Sequence, residues 1–554
     1  MKKLTFAALV LVLGGLAAAQ QRAASHIIIS IIGTNDLHGG VLPHDGRGGL
    51  ALFGGYVKNL RAARASDAGG VLLIDAGDMF QGTLESNLTE GAPVVAAYNE
   101  LGYAAAAVGN HEFDYGPVGD AAAPAGPADD ARGALKARAA EARFPFLAAN
   151  IIDETTGWPV DWPNVRPSVM VAVAGVQIGI VGVTSAATLA ATSAANVRGL
   201  AIAPLAPAIA AEATKLRAAG ASIVVVTAHA GGACTNFERP LDLSSCEANG
   251  EIFDVARSIP AGLVDVIVAG HRHLGIGHQI AGSAIMESYS NGRAFGRVDV
   301  TLDRATGMIL ERRSFPPKDI EGGTYEGAPV AQDGAVARAL APAVARAAAV
   351  KAELLGVIVD APISRRPPGE SALGNLFADL MRVSVPGTDL ALTNNGGVRA
   401  DLPAGPLTYG RFYEAMPFDN RLVRIALTGA QLRQVFAHNF TQATGIRIPV
   451  SGVRVEGRCE DGTLRVTIVR DSGVPVRDDE SLAVVTSDFL ALGGDEILTP
   501  LGALSYMDVP GPGMRDVMAD RLRKQGGRLR SEDLLNSNRA RILYPPEMPA
   551  RCAA

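Results

Sequence analysis

Ile27-Ile28-Ile29-Ser30-Ile31-Ile32 leads straight into Gly33-Thr34-Asn35-Asp36-Leu37-His38. An apolar, β-branched run of this length, closed by glycine and polar residues, predicts a buried strand. Asp36 and His38 at its end are both metal-ligand types. The same construction returns four times. Residues 71–74 lead to Gly77-Asp78, and 104–108 to Gly109-Asn110-His111-Glu112. Residues 223–227 lead to Ala228-His229-Ala230-Gly231, and 264–269 to Gly270-His271-Arg272-His273. One such motif says little. The ordered set, each member ending an apolar run, predicts one shared site, because ligands of open α/β sheets gather outside the carboxyl ends of the strands.

Helical segments are expected between these strands, for example over 50–65 and 206–219, and a hairpin over 169–183 turns at Gly175. Residues 117–130, rich in Ala, Pro, Gly and Asp, predict a surface insertion. The Ala-rich stretch 334–355 predicts a helix between two regions of different motif content. Beyond it, helices are expected over 371–383 and 429–440, and strands over 389–393, 422–427, 464–469 and 482–486. The whole reads as α/β in at least two domains.

At the amino terminus Lys2 and Lys3 precede an apolar stretch and Ala17-Ala18-Ala19, the layout of a secretory signal peptide over 1–19. The expectation is an exported protein, periplasmic, cell-surface or extracellular, with no stable membrane insertion after cleavage. The formal charge of −6, without a basic cluster in sequence, argues against duplex nucleic acid as a partner. The four cysteines show no C-x-x-C spacing, which argues against a thiolate zinc site. Cys234 and Cys246 flank a short loop after His229 and are candidates for a local disulfide; Cys459 and Cys552 remain as a pair whose bonding sequence leaves open.

The five motifs, in this order, resemble the calcineurin-like metallophosphoesterases. The resemblance implies a four-layer αββα sandwich over 26–330. It also implies two divalent cations, zinc, manganese or similar. Asp36, His38 and His273 would hold one, Asn110, His229 and His271 the other, and Asp78 would bridge them. Two cations at such spacing can share and activate one hydroxide. His111 would meet the phosphoryl group or its leaving oxygen, oriented and kept protonated by Asp114. Glu112 is expected to support the site rather than react, and Asp75 to brace the loop of Asp78 or cap it.

The second half narrows the substrate. Asn394-Asn395-Gly396-Gly397-Val398-Arg399, Met416-Pro417-Phe418-Asp419-Asn420, Phe489 with Gly493-Gly494-Asp495, and Glu370-Ser371-Ala372-Leu373-Gly374-Asn375-Leu376 resemble the carboxy-terminal domain of secreted 5′-nucleotidases and UDP-sugar hydrolases. That resemblance implies an interdomain helix over 334–355 and an α+β substrate-binding domain over 356–545. Phe418 and Phe489 would sandwich a nucleobase, Asp495 would accept ribose hydroxyls, and Arg399 and Asn394 would address phosphate. Two departures stand out: the family places an aromatic after Gly-Gly-Asp-Gly where this chain has Gly493-Gly494-Asp495-Glu496-Ile497, and Arg365 and Arg366 lie upstream of where the family places further arginines. The implied activity is hydrolysis of nucleoside 5′-monophosphates. UDP-sugar hydrolysis and 2′,3′-cyclic-nucleotide phosphodiesterase activity are alternatives, a sulfur-ester hydrolase is a more distant one, and a silent nucleotide-binding protein is the rival from another class.

Overall fold

Both faces of the strand His26–Thr34 are covered. Ile29 and Ile31 enter one apolar cluster with Ile74, Ile180 and Val225, whereas Ile32 enters another with Phe53, Tyr56 and Tyr98. Side chains alternate along a strand, so an unbroken apolar run requires a covering layer on each side. In the computed structural model the described residues are 25–119, 123–124, 126–365, 370–418, 420–442, 447–509, 512–535, 540–545 and 549–552. The segment read as a signal peptide lies outside them, as do residues 120–122 and 125 of the expected insertion, Arg366 and Asp419.

One sheet runs, in spatial order, Ile309–Ser314, Ala294–Asp303, His26–Thr34, Gly70–Asp75, Ala105–Ala107, Phe146–Leu147, Val165–Arg166. The other runs Gly275–Ile280, Ser283–Ser288, Val266–Ala269, Ile223–His229, Val176–Thr184, Ser168–Val173. They face each other across the cluster of Ile29, Ile74, Ile180, Val225 and Val266. The helices Leu50–Ser66, Ala92–Leu101 and Gly133–Glu141 pack on the first sheet, and Leu205–Ala218 and Glu251–Ser258 on the second. The result is a four-layer αββα sandwich. The motif-bearing strands are parallel within each sheet, so their carboxyl ends share an edge. There the Thr227 hydroxyl donates to the Asp75 carbonyl (2.6 Å), joining the two sheets at the rim.

Asp333 caps the helix Gly334–Lys351, accepting from the amides of Ala335 and Val336. The helix expected over 334–355 thus ends four residues early, and Leu354–Val359 is a strand. Leu355, Val357 and Val359 are buried while Leu354 and Ile358 are exposed. This period of two, in a β-branched run with Gly356 at φ 71°, outweighs the helical propensity of the preceding alanines. The remaining chain forms an α+β unit. Its five-stranded sheet runs Val450–Ser451, Leu390–Leu392, Ser481–Ser487, Leu422–Thr428, Tyr506–Asp508, with the helices Ala372–Ser384 and Gly429–Thr441 against it. Ser371 caps the first helix and a Thr428/Gln431 capping box starts the second.

Cys234 is bonded to Cys246, and Cys459 to Cys552. The second bond, left open by sequence, ties the strand Val453–Glu460 to the chain end. Among the described residues no helix is long and apolar enough to cross a membrane.

Candidate active site

All five strand-end motifs meet at the shared edge. Asp36, His38, Asp78 and His273 form one group of potential ligand atoms, and Asp78, His229 and His271 a second, the atoms of each lying within 4.8 Å of one another. Asp78 belongs to both. His38 Nε2 faces His273 Nε2 at 2.9 Å, and His229 Nε2 lies 3.0 Å from Asn110 Oδ1 and 3.1 Å from His271 Nδ1. His229 Nε2 is also 3.2 Å from Asp78, and His273 Nε2 3.3 Å from Asp36.

The other side of each ring explains this orientation. His38 Nδ1 is 3.0 Å from the Gln81 carbonyl and His229 Nδ1 is 2.9 Å from the Ala76 carbonyl. An Nδ1–H donated to a carbonyl leaves the Nε2 lone pair aimed inward. Asn110 donates its amide to the Ala191 carbonyl (3.1 Å), so its oxygen also faces inward. Electron pairs converging on electron pairs are unfavourable unless a positive charge lies between them. The donor set therefore fits a pair of divalent cations.

Backbone geometry agrees. Asp36, His38, Asp78, His271 and His273 have φ of 49°, 48°, 57°, 78° and 59°, the left-handed region that non-glycine residues seldom occupy. Such strain persists where the surroundings enforce it, and two buried carboxyl groups do so here. Glu112 accepts the amides of Asp78 (2.9 Å), Met79 (2.7 Å) and Gly109 (2.7 Å). Glu287 accepts those of Gly232 (3.1 Å) and Leu274 (3.3 Å), clamping the fourth motif to the fifth. Asp75 takes both roles that sequence left open: it accepts from Thr34 (2.6 Å) and Tyr98 (2.8 Å), and from the Gly77 amide (2.8 Å) ahead of Asp78. A Cβ at Gly109 would collide with Asp78, so the third motif must begin with glycine. In Glu112→Ala three buried donors lose their acceptor. A loss of about 3 kcal/mol is expected, measured by denaturant unfolding.

Burial would raise Asp78, but whenever His229 and His111 carry a proton in place of a cation, they hold it well below the usual carboxylate range. His111 is the opposite case: burial lowers it, and Asp114 and Asp78 overcome this and raise it to about 9. His111 Nδ1 lies 2.5 Å from Asp114, whose other oxygen accepts from Thr192 (2.9 Å). Asp114 thereby fixes the His111 ring at the mouth of the site.

That mouth opens into a cleft of about 760 Å³ walled by both halves of the chain. Asn394, Arg399, Phe418, Phe489 and Asp495 all line it, opposite Asp78, Asn110, His111, His271 and His273. The Arg399 guanidinium lies 5.0 Å from the centre of the Phe418 ring, and that ring stacks at 6.3 Å from His111. Asn394 donates to Asp495 (2.5 Å). Glu496, the departure noted in the sequence, lines the cleft as well. Arg365 instead donates to the Arg399 carbonyl (2.7 Å) from an exposed position.

Gln81 and the segment 187–193 escaped the sequence reading. The Gln81 side chain donates to the Pro417 carbonyl (2.9 Å) while its own carbonyl faces His38. It thus joins the His/Asp cluster to the loop carrying Phe418. Ala187, Ala190, Ala191, Thr192 and Ser193 form a wall of small side chains in the cleft. Neither carries a motif or periodic signal.

An αββα sandwich with this donor set defines a metallophosphoesterase-type domain, here joined to a second domain that completes the cleft. Residues 347–501 match the family "5′-nucleotidase, C-terminal domain". Endonuclease YhcR of Bacillus subtilis is 27% identical over 89% of the chain, and the chain spans 39% of that protein's length. Protein UshA of Yersinia enterocolitica is 26% identical over 84% of the chain and 86% of its own length. The crystal structure of a 5′-nucleotidase precursor from Thermus thermophilus superposes with a TM-score of 0.68 at 26% identity, covering 94% of this chain and 100% of that one. Along most of its length the chain is thus similar to proteins of the 5′-nucleotidase type.

Proposed function

We propose that the chain hydrolyses nucleoside 5′-monophosphates to nucleoside and phosphate with two divalent cations. The observation that carries this reading is the position of Asp78. One carboxylate is common to two His/Asp groups, in a cleft whose opposite wall presents Arg399, Phe418, Phe489 and Asp495. Asp36, His38 and His273 would hold one cation, Asn110, His229 and His271 the other, with Asp78 between them. When bound, the cations supply an activated water and neutralise phosphoryl oxygens. The chain's own residues bind and orient. Arg399 offers a planar fork to the phosphate, Phe418 and Phe489 offer ring faces to the base, and Asp495 accepts from the ribose. His111, held by Asp114, stabilises the charge that develops on the leaving oxygen and donates the proton it needs.

Purified protein, with and without added Mn²⁺ or Zn²⁺, tests this against AMP, UDP-glucose, a 2′,3′-cyclic nucleotide and a generic phosphate ester. Metal-dependent release of phosphate from AMP is expected. No release from any nucleotide refutes the reading, and preference for UDP-glucose or the cyclic nucleotide replaces the substrate. Gln81→Ala keeps the backbone carbonyl that faces His38 and removes only the bond to Pro417. It should raise KM for AMP about tenfold, the worth of one such hydrogen bond, at unchanged metal content.

Residues 1–19 are read as a secretory signal, and two disulfides support an oxidising compartment. Sequencing the mature amino terminus should find it close to residue 20. An intact Met1 on the exported protein overturns this.

A further inference from the structure

A second concavity, of about 700 Å³, lies in the carboxy-terminal domain and shares no lining residue with the cleft. Its walls come from the helices Ala372–Ser384 and Met514–Gln525, the strand Val453–Glu460, residues 528–530, and Asp471, Asp533, Leu534 and Arg541. Arginines outnumber carboxylates on these walls six to three, in a chain whose net charge is −6.

Three of the six are already matched. Arg541 makes a two-pronged pair with Asp379 (2.6 and 2.8 Å). Arg528 and Arg530 both hold Asp360 (2.6 and 2.7 Å), which stands outside the groove. The other two lining acids, Asp471 and Asp533, act on Arg541 and Arg530. Arg382 gives only its Nε, to the Ser451 hydroxyl (2.8 Å). Arg454 and Arg521 make no ion pair among the described residues, and Arg521 Nε is buried without a hydrogen-bond partner. Burying a guanidinium donor unsatisfied is costly. The guanidinium groups of Arg382, Arg454 and Arg521 line one hollow, and like charges repel one another unless an anion lies between them.

We propose that this groove is a second phosphate site, in which Arg382, Arg454 and Arg521 grip a phosphate group. Guanidinium forks match phosphate oxygens two at a time. The volume lies within the range of small-molecule sites, and Leu376, Leu380, Leu529 and Leu534 give it an apolar lining beside the arginines. The shared chemistry is the phosphate group, free or carried by a nucleotide. The groove also connects to the cleft. The helix Ala372–Ser384 lines it with its second half, while Gly374 in the first turn packs against Asn395 of the nucleotide-side loop. Asn375 on the same helix donates to the carbonyl of Leu534 in the groove (2.9 Å).

Isothermal titration of the full chain with inorganic phosphate, and separately with AMP in chelator so that no turnover occurs, tests the proposal. The comparison proteins are Arg454→Gln/Arg521→Gln and, as a cleft control, Arg399→Ala. A binding event that survives Arg399→Ala and weakens at least tenfold in the double variant is expected, with turnover of the metal-loaded double variant retained. Similar affinity for both ligands assigns the site to phosphate alone, and tenfold tighter AMP assigns it to a nucleotide. Unchanged binding in the double variant overturns the proposal. If that variant fails to fold, Arg454→Lys/Arg521→Lys keeps the charge and removes the forks. It must still weaken binding, and undiminished affinity there is equally fatal.

Discussion

Asp78→Asn should abolish turnover, with a fall of at least about 10³-fold, and should reduce bound metal from two equivalents to one or none. The size follows from the position of one carboxylate in two ligand groups: its charge is lost from both cation sites at once, and with it the charge stabilisation each supplies. The same side chain accepts the His111 amide (2.8 Å), a bond the carboxamide oxygen can still accept, so the loss falls on the cations and not on His111. Metal analysis of the purified variant and AMP hydrolysis read the two effects. Two tightly held equivalents in the variant would remove Asp78 from the bridging role.

His111→Ala should lower kcat by roughly 10²–10⁴, the usual range for a positioned proton donor, with metal content unchanged. His111 is aimed at the cleft by Asp114, and its ring is stacked against Phe418 at 6.3 Å. The metal groups do not include it. Metal retention therefore separates this variant from Asp78→Asn. Parallel loss of metal and turnover would make His111 part of the ligand set instead.

Much of the site was legible as residue type at a strand end. Asp36, His38, Asp78, Asn110, His229, His271 and His273 each follow an apolar run, and parallel strands bring their carboxyl ends to one edge. The buried alternation of Ile29, Ile31 and Ile32 marked a strand covered on both faces. The end of the helix at Lys351 was misplaced because alanine-rich propensity extends past the point where Leu355, Val357 and Val359 find a sheet to join. Gln81 and Thr192 were not legible at all. Each acts through one side-chain hydrogen bond to a residue distant in the chain, Pro417 or Asp114, and such a bond leaves no pattern in the local sequence. The groove of Arg382, Arg454 and Arg521 was hidden for the same reason. Those arginines are far apart in the chain, so no run of charge announces them.

The amino-acid sequence by itself determined the kind of chemistry and its ingredients: imidazoles, carboxylates and an amide at strand ends, and aromatic and guanidinium groups in the second half. These depend on local pattern, because strand propensity and the turn that ends a strand are set by neighbouring residues. The tertiary structure decided what those ingredients face. It placed five candidate ligands in left-handed backbone, gave Asp78 to two groups, and laid Phe418 beside His111. Convergence of this kind depends on packing between elements far apart in the chain, which only the assembled layers specify.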